Sequence, residues 1–166
     1  MLEPVMKRPG RGFTVIELMA VVVVLAVLLT LAVPAFLDLL ARRRLEGVAN
    51  ELSADLHYAR SEALTRQVDV ALQTLADGSG YRITAATAPT ATLIKRITLP
   101  DEVTLTDSFT LTYTAMRGIP LETSGGDLAI TVSSSGTPGR MRIENNPMGR
   151  IRLCSPDGSM KGYVTC

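Results

Sequence analysis

Between Leu18 and Leu37 the chain runs for twenty residues without a charged side chain, and Val21, Val22, Val23, Val24 and Leu25 follow one another without a break. As a helix rising about 1.5 Å per residue, such a run spans about 30 Å, the thickness of a bilayer's hydrocarbon core. A buried helix of a soluble core would need a second apolar layer around it. The remainder of a 166-residue chain is too small to provide that layer. The expectation is a membrane-spanning helix. Lys7, Arg8 and Arg11 before the run and Arg42, Arg43 and Arg44 after it leave the charge bias for its orientation undecided.

A secretory signal would carry a small-residue cleavage site after its apolar stretch. Here the order is inverted, with a short basic leader ending at Gly12 and the apolar run following at once. The stretch Gly12, Phe13, Thr14, Val15, Ile16, Glu17, Leu18 closely resembles the prepilin signature of type IV pilins and type II secretion pseudopilins. That resemblance implies that a membrane-embedded prepilin peptidase cuts between Gly12 and Phe13. It also implies that Phe13 is N-methylated and that the apolar helix is retained as a building element. Glu17 stands out on physical grounds as well, because a carboxylate inserted with an apolar helix costs about 2.5 to 3.5 kcal/mol and calls for a partner. The resemblance assigns that partner as the terminal amine of a neighbouring subunit, which makes Glu17 the assembly residue. A simpler reading lets Glu17 snorkel to water at the headgroup boundary.

Pro34 removes one backbone donor and is expected to kink or loosen the helix. Beyond it, Leu45, Val48, Leu52, Leu56, Ala59 and Ala63 recur at spacings of three and four, the stripe of an amphipathic helix. Arg42, Glu46, Glu51, Asp55 and Glu62 are assigned to its other faces. A helix from Phe13 to about Arg66 would be roughly 80 Å long, more than one bilayer requires. After Gln67 the period changes. Val68, Val70 and Leu72 alternate with polar residues, and Asp77 to Gly80 provide a turn before Tyr81, Ile83 and Ala85, as in a β-hairpin. Further strands are expected at Leu93–Leu99, Val103–Leu105, Phe109–Tyr113, Leu128–Val132, Met141–Ile143 and Ile151–Leu153. Ala88 to Ala91, Thr123 to Asp127 and the cluster of Gly136, Pro138 and Gly139 read as loops. The expected fold is α+β, type IV pilin-like, with a long N-terminal helix packed on an antiparallel head. Its expected divisions are a leader (1–12), a membrane-spanning segment (13–37), an amphipathic half (38–67) and a β-rich head with a basic C-terminal region (68–166).

No P-loop, zinc-ligand spacing, GxSxG or HExxH occurs, and the only histidine is His57, so neither an enzyme nor a cofactor or metal site is expected. Aromatic side chains make up 4% of the chain, too few for a base-stacking platform. Charge is segregated instead. Residues 45–138 hold six basic and eleven acidic side chains, whereas residues 139–166 hold Arg140, Arg142, Arg150, Arg152 and Lys161 against Glu144 and Asp157. If Ile151 and Leu153 face the core, Arg150 and Arg152 share the outer face about 7 Å apart along the strand, a spacing that suits successive phosphates. Arg140 and Arg142 repeat the pattern on the preceding strand, and a hairpin through Asn145 and Pro147 is expected to bring the pairs side by side.

Helix first, strand-rich head next, and Gly149, Arg150, Ile151, Arg152 near the end resemble the FimT and GspH branch of pilin-like proteins. In that branch the GRxR stretch of FimT-type minor pilins implies binding of incoming DNA in natural transformation. The residues expected to hold DNA are Arg150, Arg152, Arg140, Arg142 and Lys161, through charge-assisted contacts to phosphates that carry no sequence information. Cys154 and Cys166 flank a loop containing Pro156, Gly158 and Gly162 that lets their sulfurs meet, and an oxidising periplasm would permit the disulfide. Expected partners are other major and minor pilins, the prepilin peptidase, the inner membrane and DNA, with no small-molecule substrate. The expected location is the inner membrane as a single-pass protein with a periplasmic head, then the pilus at the cell surface. The rival is a GspH-like minor pseudopilin of type II secretion, whose arginines would contact other tip subunits. A plain bitopic membrane protein, uncut after Gly12, is the third class.

Overall fold

The computed structural model describes residues 12–87, 89–121, 128–135 and 137–166. All of the leader but Gly12, the loop Thr123–Asp127, Ala88 and Gly136 therefore lie outside the described residues. The chain divides into two compact units, Met1–Leu37 and Asp38–Cys166.

Helix α1 (Val15–Arg66) opens behind Thr14. The Thr14 Oγ1 accepts the Glu17 amide at 3.3 Å, and its carbonyl accepts the Leu18 amide at 3.2 Å. A threonine in this position satisfies donors that a helix start leaves open, and an acid in the first turn complements the helix dipole. Every residue from Gly12 to Leu40 is exposed, and the helix carries an 18-residue window of mean hydropathy 2.9 with none of it buried. This one helix is long and apolar enough to cross a membrane. Thr30, the polar side chain within the run, donates its hydroxyl to the Val27 carbonyl at 2.7 Å. The helix continues through Pro34.

In the second unit α1 buries Ala41, Leu45, Val48, Ala49, Leu52, Leu56, Ala59 and Ala63, the stripe expected from its spacing. It stops at Gln67, whose φ of 55° is the left-handed turn that commonly ends helices. The strands that follow are β1 (Val70–Thr74), β2 (Gly80–Ala85), β3 (Thr92–Thr98), β4 (Val103–Leu105), β5 (Thr110–Tyr113), β6 (Pro120–Leu121), β7 (Leu128–Ser134), β8 (Thr137–Asn145) and β9 (Ile151–Cys154). They form a five-stranded sheet, β3-β2-β1-β5-β6, and a four-stranded sheet, β4-β7-β8-β9. Every pairing between these strands is antiparallel, and Ser155 and Thr165 form an isolated parallel bridge. One apolar core joins the α1 stripe to Val70, Leu72, Tyr81, Ile83, Leu111 and Tyr113 of the first sheet and Ile130, Val132, Met141 and Ile143 of the second. The result is α+β, as expected. The two-residue β6 is too short to show an alternation in the sequence.

Asp55 corrects the sequence reading. It lies on the buried side of α1 with 5% exposure, three residues after Leu52 and therefore on the same face. Its carboxylate accepts the Tyr81 hydroxyl at 2.8 Å and the Lys95 Nζ at 2.7 and 2.9 Å. Burial, followed by the bond to Asp55, pushes the Tyr81 phenol far above its usual range. A buried carboxylate with those partners ties α1 to β2 and β3.

Candidate nucleic-acid interface

The basic C-terminal region is built on the β8–β9 hairpin. Asn146 and Arg150 close its loop, with the Asn146 amide donating to the Arg150 carbonyl at 3.1 Å and the Gly149 amide donating to the Asn146 carbonyl at 2.8 Å. The Asn146 Oδ1 also accepts the Met148 and Arg150 amides, at 3.1 and 2.8 Å. Gly149 has a φ of 77°, so this is a tight turn followed by a left-handed residue, a common three-residue hairpin connection. The Gly149 carbonyl accepts the Arg60 guanidinium of α1 at 3.0 Å, which fixes the turn to the helix. Residue identity alone marks this glycine only as part of the GRxR stretch. Its positive φ and its contact with Arg60 give it a structural role.

Along β8, Met141 and Ile143 are fully buried, and on β9 Ile151 and Leu153 pack against the core. Arg140, Arg142 and Arg152 therefore take outward positions, as the alternation required. The register, however, sets Arg152 opposite Glu144 and Arg142 opposite Cys154. The two arginine pairs do not lie side by side, because the loop length places an acid across from Arg152. Arg152 and Glu144 form an ion pair at 2.7 Å, and the Arg140 Nε lies 3.8 Å from Asp157. Arg142 is half-buried, and its Nε is enclosed without a hydrogen-bond partner among the described residues. Arg150 and Lys161 are exposed, and neither has an ion pair among the described residues. Glu144, Asn146, Arg150 and Arg152 line one shallow concavity. Asp157 is held charged by the Ser159 hydroxyl and, further, by the Ser159 amide and the Ser155 hydroxyl, which draw its pKa down to about 2.

Cys154 and Cys166 are joined in a disulfide with their Cα atoms 5.2 Å apart. The closed loop lies against α1. Met160 is buried in the core, the Arg42 guanidinium donates to the Ser159 carbonyl at 3.0 Å, and the Asn50 side chain reaches the Tyr163 hydroxyl at 3.5 Å. Glu144, Cys154 and Cys166 bring potential metal-ligand atoms within 4.8 Å of one another, but both sulfurs are spent in the disulfide, so no thiolate is available to a metal.

A long apolar helix with a methylation-type start, carrying an antiparallel head closed by a disulfide, defines a type IV pilin-like filament subunit. Residues 48–164 match the family described as Type II transport protein GspH, and residues 7–33 match the Prokaryotic N-terminal methylation motif. The chain belongs to the GspH family of minor pilins and pseudopilins. This family consists of structural subunits that work in assemblies with other pilin subunits, and its motif and helix fit membrane anchorage before assembly. Among solved structures, the minor pseudopilin EpsH from the type 2 secretion system of Vibrio cholerae shares the fold, with a TM-score of 0.55 and 16% identity over 67% of this chain and 96% of that one. The type IV minor pilin FimU of Pseudomonas aeruginosa matches with a TM-score of 0.55 and 26% identity over 68% of this chain and 89% of that one. No curated protein sequence matches.

Proposed function

We propose that the protein is a minor subunit of a type IV pilus whose basic C-terminal face holds DNA by its phosphate backbone in natural transformation. In this reading the prepilin peptidase cuts between Gly12 and Phe13, Phe13 is methylated, and Glu17 meets the amine of a neighbouring subunit in the filament. The protein waits in the inner membrane with its head in the periplasm, a compartment that suits the Cys154–Cys166 disulfide.

The observation that carries the DNA reading is Arg150. It is exposed, free of any ion pair among the described residues, and presented by a turn bonded to α1 through Gly149 and Arg60. A guanidinium on so fixed a mount loses little backbone freedom when it takes a phosphate. Arg152, Arg140 and Lys161 extend the face, and Glu144 and Asp157 are exchanged for phosphates at two of them. The test is titration of the head, from Asp38 onward, with duplexes of unrelated sequence across a salt series. Every member of the core cluster falls at or after Leu45, so this part keeps its whole core. About four phosphate contacts give a log-log slope near −3.6, and Arg150→Gln with Arg152→Gln should bring it to roughly −1.8 with weaker binding. An unchanged slope and affinity in that double variant would remove these residues from the site.

The ion pairs of Arg152 and Arg140 favour a second reading, a GspH-like minor pseudopilin of type II secretion whose cationic face meets other tip subunits. That reading predicts no salt-dependent affinity for DNA beyond that of a neutral-face variant.

A further inference from the structure

The outer face of the five-stranded sheet carries a second cationic feature, remote in sequence from the hairpin. Arg82 of β2 and Arg96 of β3 stand directly opposite each other in the register, both exposed. Like charges in facing positions of an antiparallel pair destabilise the sheet by themselves. Neither has an ion pair among the described residues. Gln73 of β1 accepts the Arg82 Nε at 3.1 Å, which steadies that guanidinium. Asp77, whose carboxylate Arg96 helps to keep ionised, is already taken by the Ser79 hydroxyl at 2.7 Å and the Ser79 amide at 3.0 Å.

A register shift between Ile83 and Thr84 shapes the surface beside this pair. In an unbroken strand Leu93, Lys95 and Ile97 would all face the core. Lys95 keeps that facing and reaches Asp55, whereas the bulge resets the alternation beyond it, so Leu93 faces out opposite Thr84, on the same side as Arg96. Leu93 is left 56% exposed. Leu93, Ala71, Thr84, Arg82 and Arg96 thereby line one concavity of about 520 Å³, whose lining also includes Asp69.

We propose that this concavity is a docking surface for a neighbouring filament subunit, one that seats a carboxylate between Arg82 and Arg96 and an apolar side chain on Leu93. An apolar floor, two arginines and a polar edge make up the composition of a protein interface. The carboxylate of Asp69, which accepts the Ala115 amide at 2.8 Å, disfavours a continuous polyanion laid along the same groove and suits a partner of mixed charge. The proposal rests on the membership of a filament-forming family and is independent of the DNA reading.

The test is made on the full chain in its own cells, with Arg82→Glu and Arg96→Glu combined, and Arg82→Lys with Arg96→Lys as the conservative pair. Expected is at least a tenfold loss of the Glu variant from sheared filaments, with recovery largely kept by the Lys variant, unchanged membrane levels, and a head that keeps the parental melting temperature within a few degrees. Filaments that take up the Glu variant as well as the parent overturn the proposal. So does a Glu variant that is incorporated normally but loses DNA affinity, which would make the groove a nucleic-acid site. A photo-crosslinker at Leu93 in intact filaments should join a pilin-like peptide with Asp or Glu within a few residues of the junction, and an adduct on nucleic acid alone contradicts it. If the parent is itself absent from filaments, the family-based filament reading fails rather than this surface.

Discussion

Replacing Gly149 by alanine tests whether the hairpin that carries Arg150 is locked to the helix. At a φ of 77° a side chain costs about 1 to 2 kcal/mol from backbone sterics alone. The added carbon would also lie 3.1 Å from the Arg60 Nη1 and 3.2 Å from its Cζ. That guanidinium is the far end of a flexible side chain and gives way by a few tenths of an ångström, but in doing so it stretches its 3.0 Å bond to the Gly149 carbonyl. A hydrogen bond from a charged donor is worth about 1.5 to 3 kcal/mol, and partial loss brings the total to roughly 2 to 3 kcal/mol. At about 4 °C per kcal/mol for a domain of this size, the melting temperature of the head should fall by roughly 8 to 12 °C. Gly158→Ala is the comparison, because its φ of 65° is similar and its added carbon meets only the Thr165 Oγ1 at 3.8 Å. Thermal unfolding followed by circular dichroism should show a distinctly larger fall for Gly149→Ala than for Gly158→Ala. Equal falls would refute the contribution of Arg60, and no fall in either would refute the backbone argument as well.

Two further outcomes follow from the head's chemistry. Reduction of Cys154–Cys166, or its replacement by serines, should cost about 2 to 3 kcal/mol on the chain-entropy account, read as a melting temperature that drops when reductant is added to the parent and not to the serine variant; a parent indifferent to reductant contradicts this. Burial pushes the Tyr113 phenol up to about 12, and the same cause with the Asp55 bond raises Tyr81, so both favour the protonated form in the fold. Their stabilisation is whole below the unfolded value of about 10 and is lost as pH rises, for Tyr113 through about 12 and for Tyr81 beyond that. Phenolate absorbance from these two tyrosines should therefore appear together with unfolding, and its full appearance in a still-folded head would contradict the burial argument.

What the sequence made legible was local. The uncharged run Leu18–Leu37, the stripe from Leu45 to Ala63 and the alternation around Leu72, Ile83, Met141 and Ile151 each report a period within a few residues, and each reappears in the structure. What stayed hidden depends on how distant pieces are set against each other. The position of Glu144 across from Arg152 follows from the geometry of the Asn146–Arg150 turn, which residue identity alone does not fix. The burial of Asp55 needs Tyr81 and Lys95 as partners from two strands, and acidity alone pointed the other way. The division into two sheets rests on pairings such as β1 with β5 and β4 with β7, between strands that are not consecutive in the chain. The bulge at Ile83 and Thr84 reverses the facing of Leu93 within a segment whose apolar pattern looks ordinary.

Everything functional here depends on the chain being a filament subunit that keeps its apolar helix after losing its leader. Mass spectrometry of the N-terminal peptide of this protein, recovered from sheared surface filaments, tests that directly. The expected peptide begins at Phe13 and carries one added methyl group on its amine. A peptide beginning at Met1 in the same filaments would contradict it.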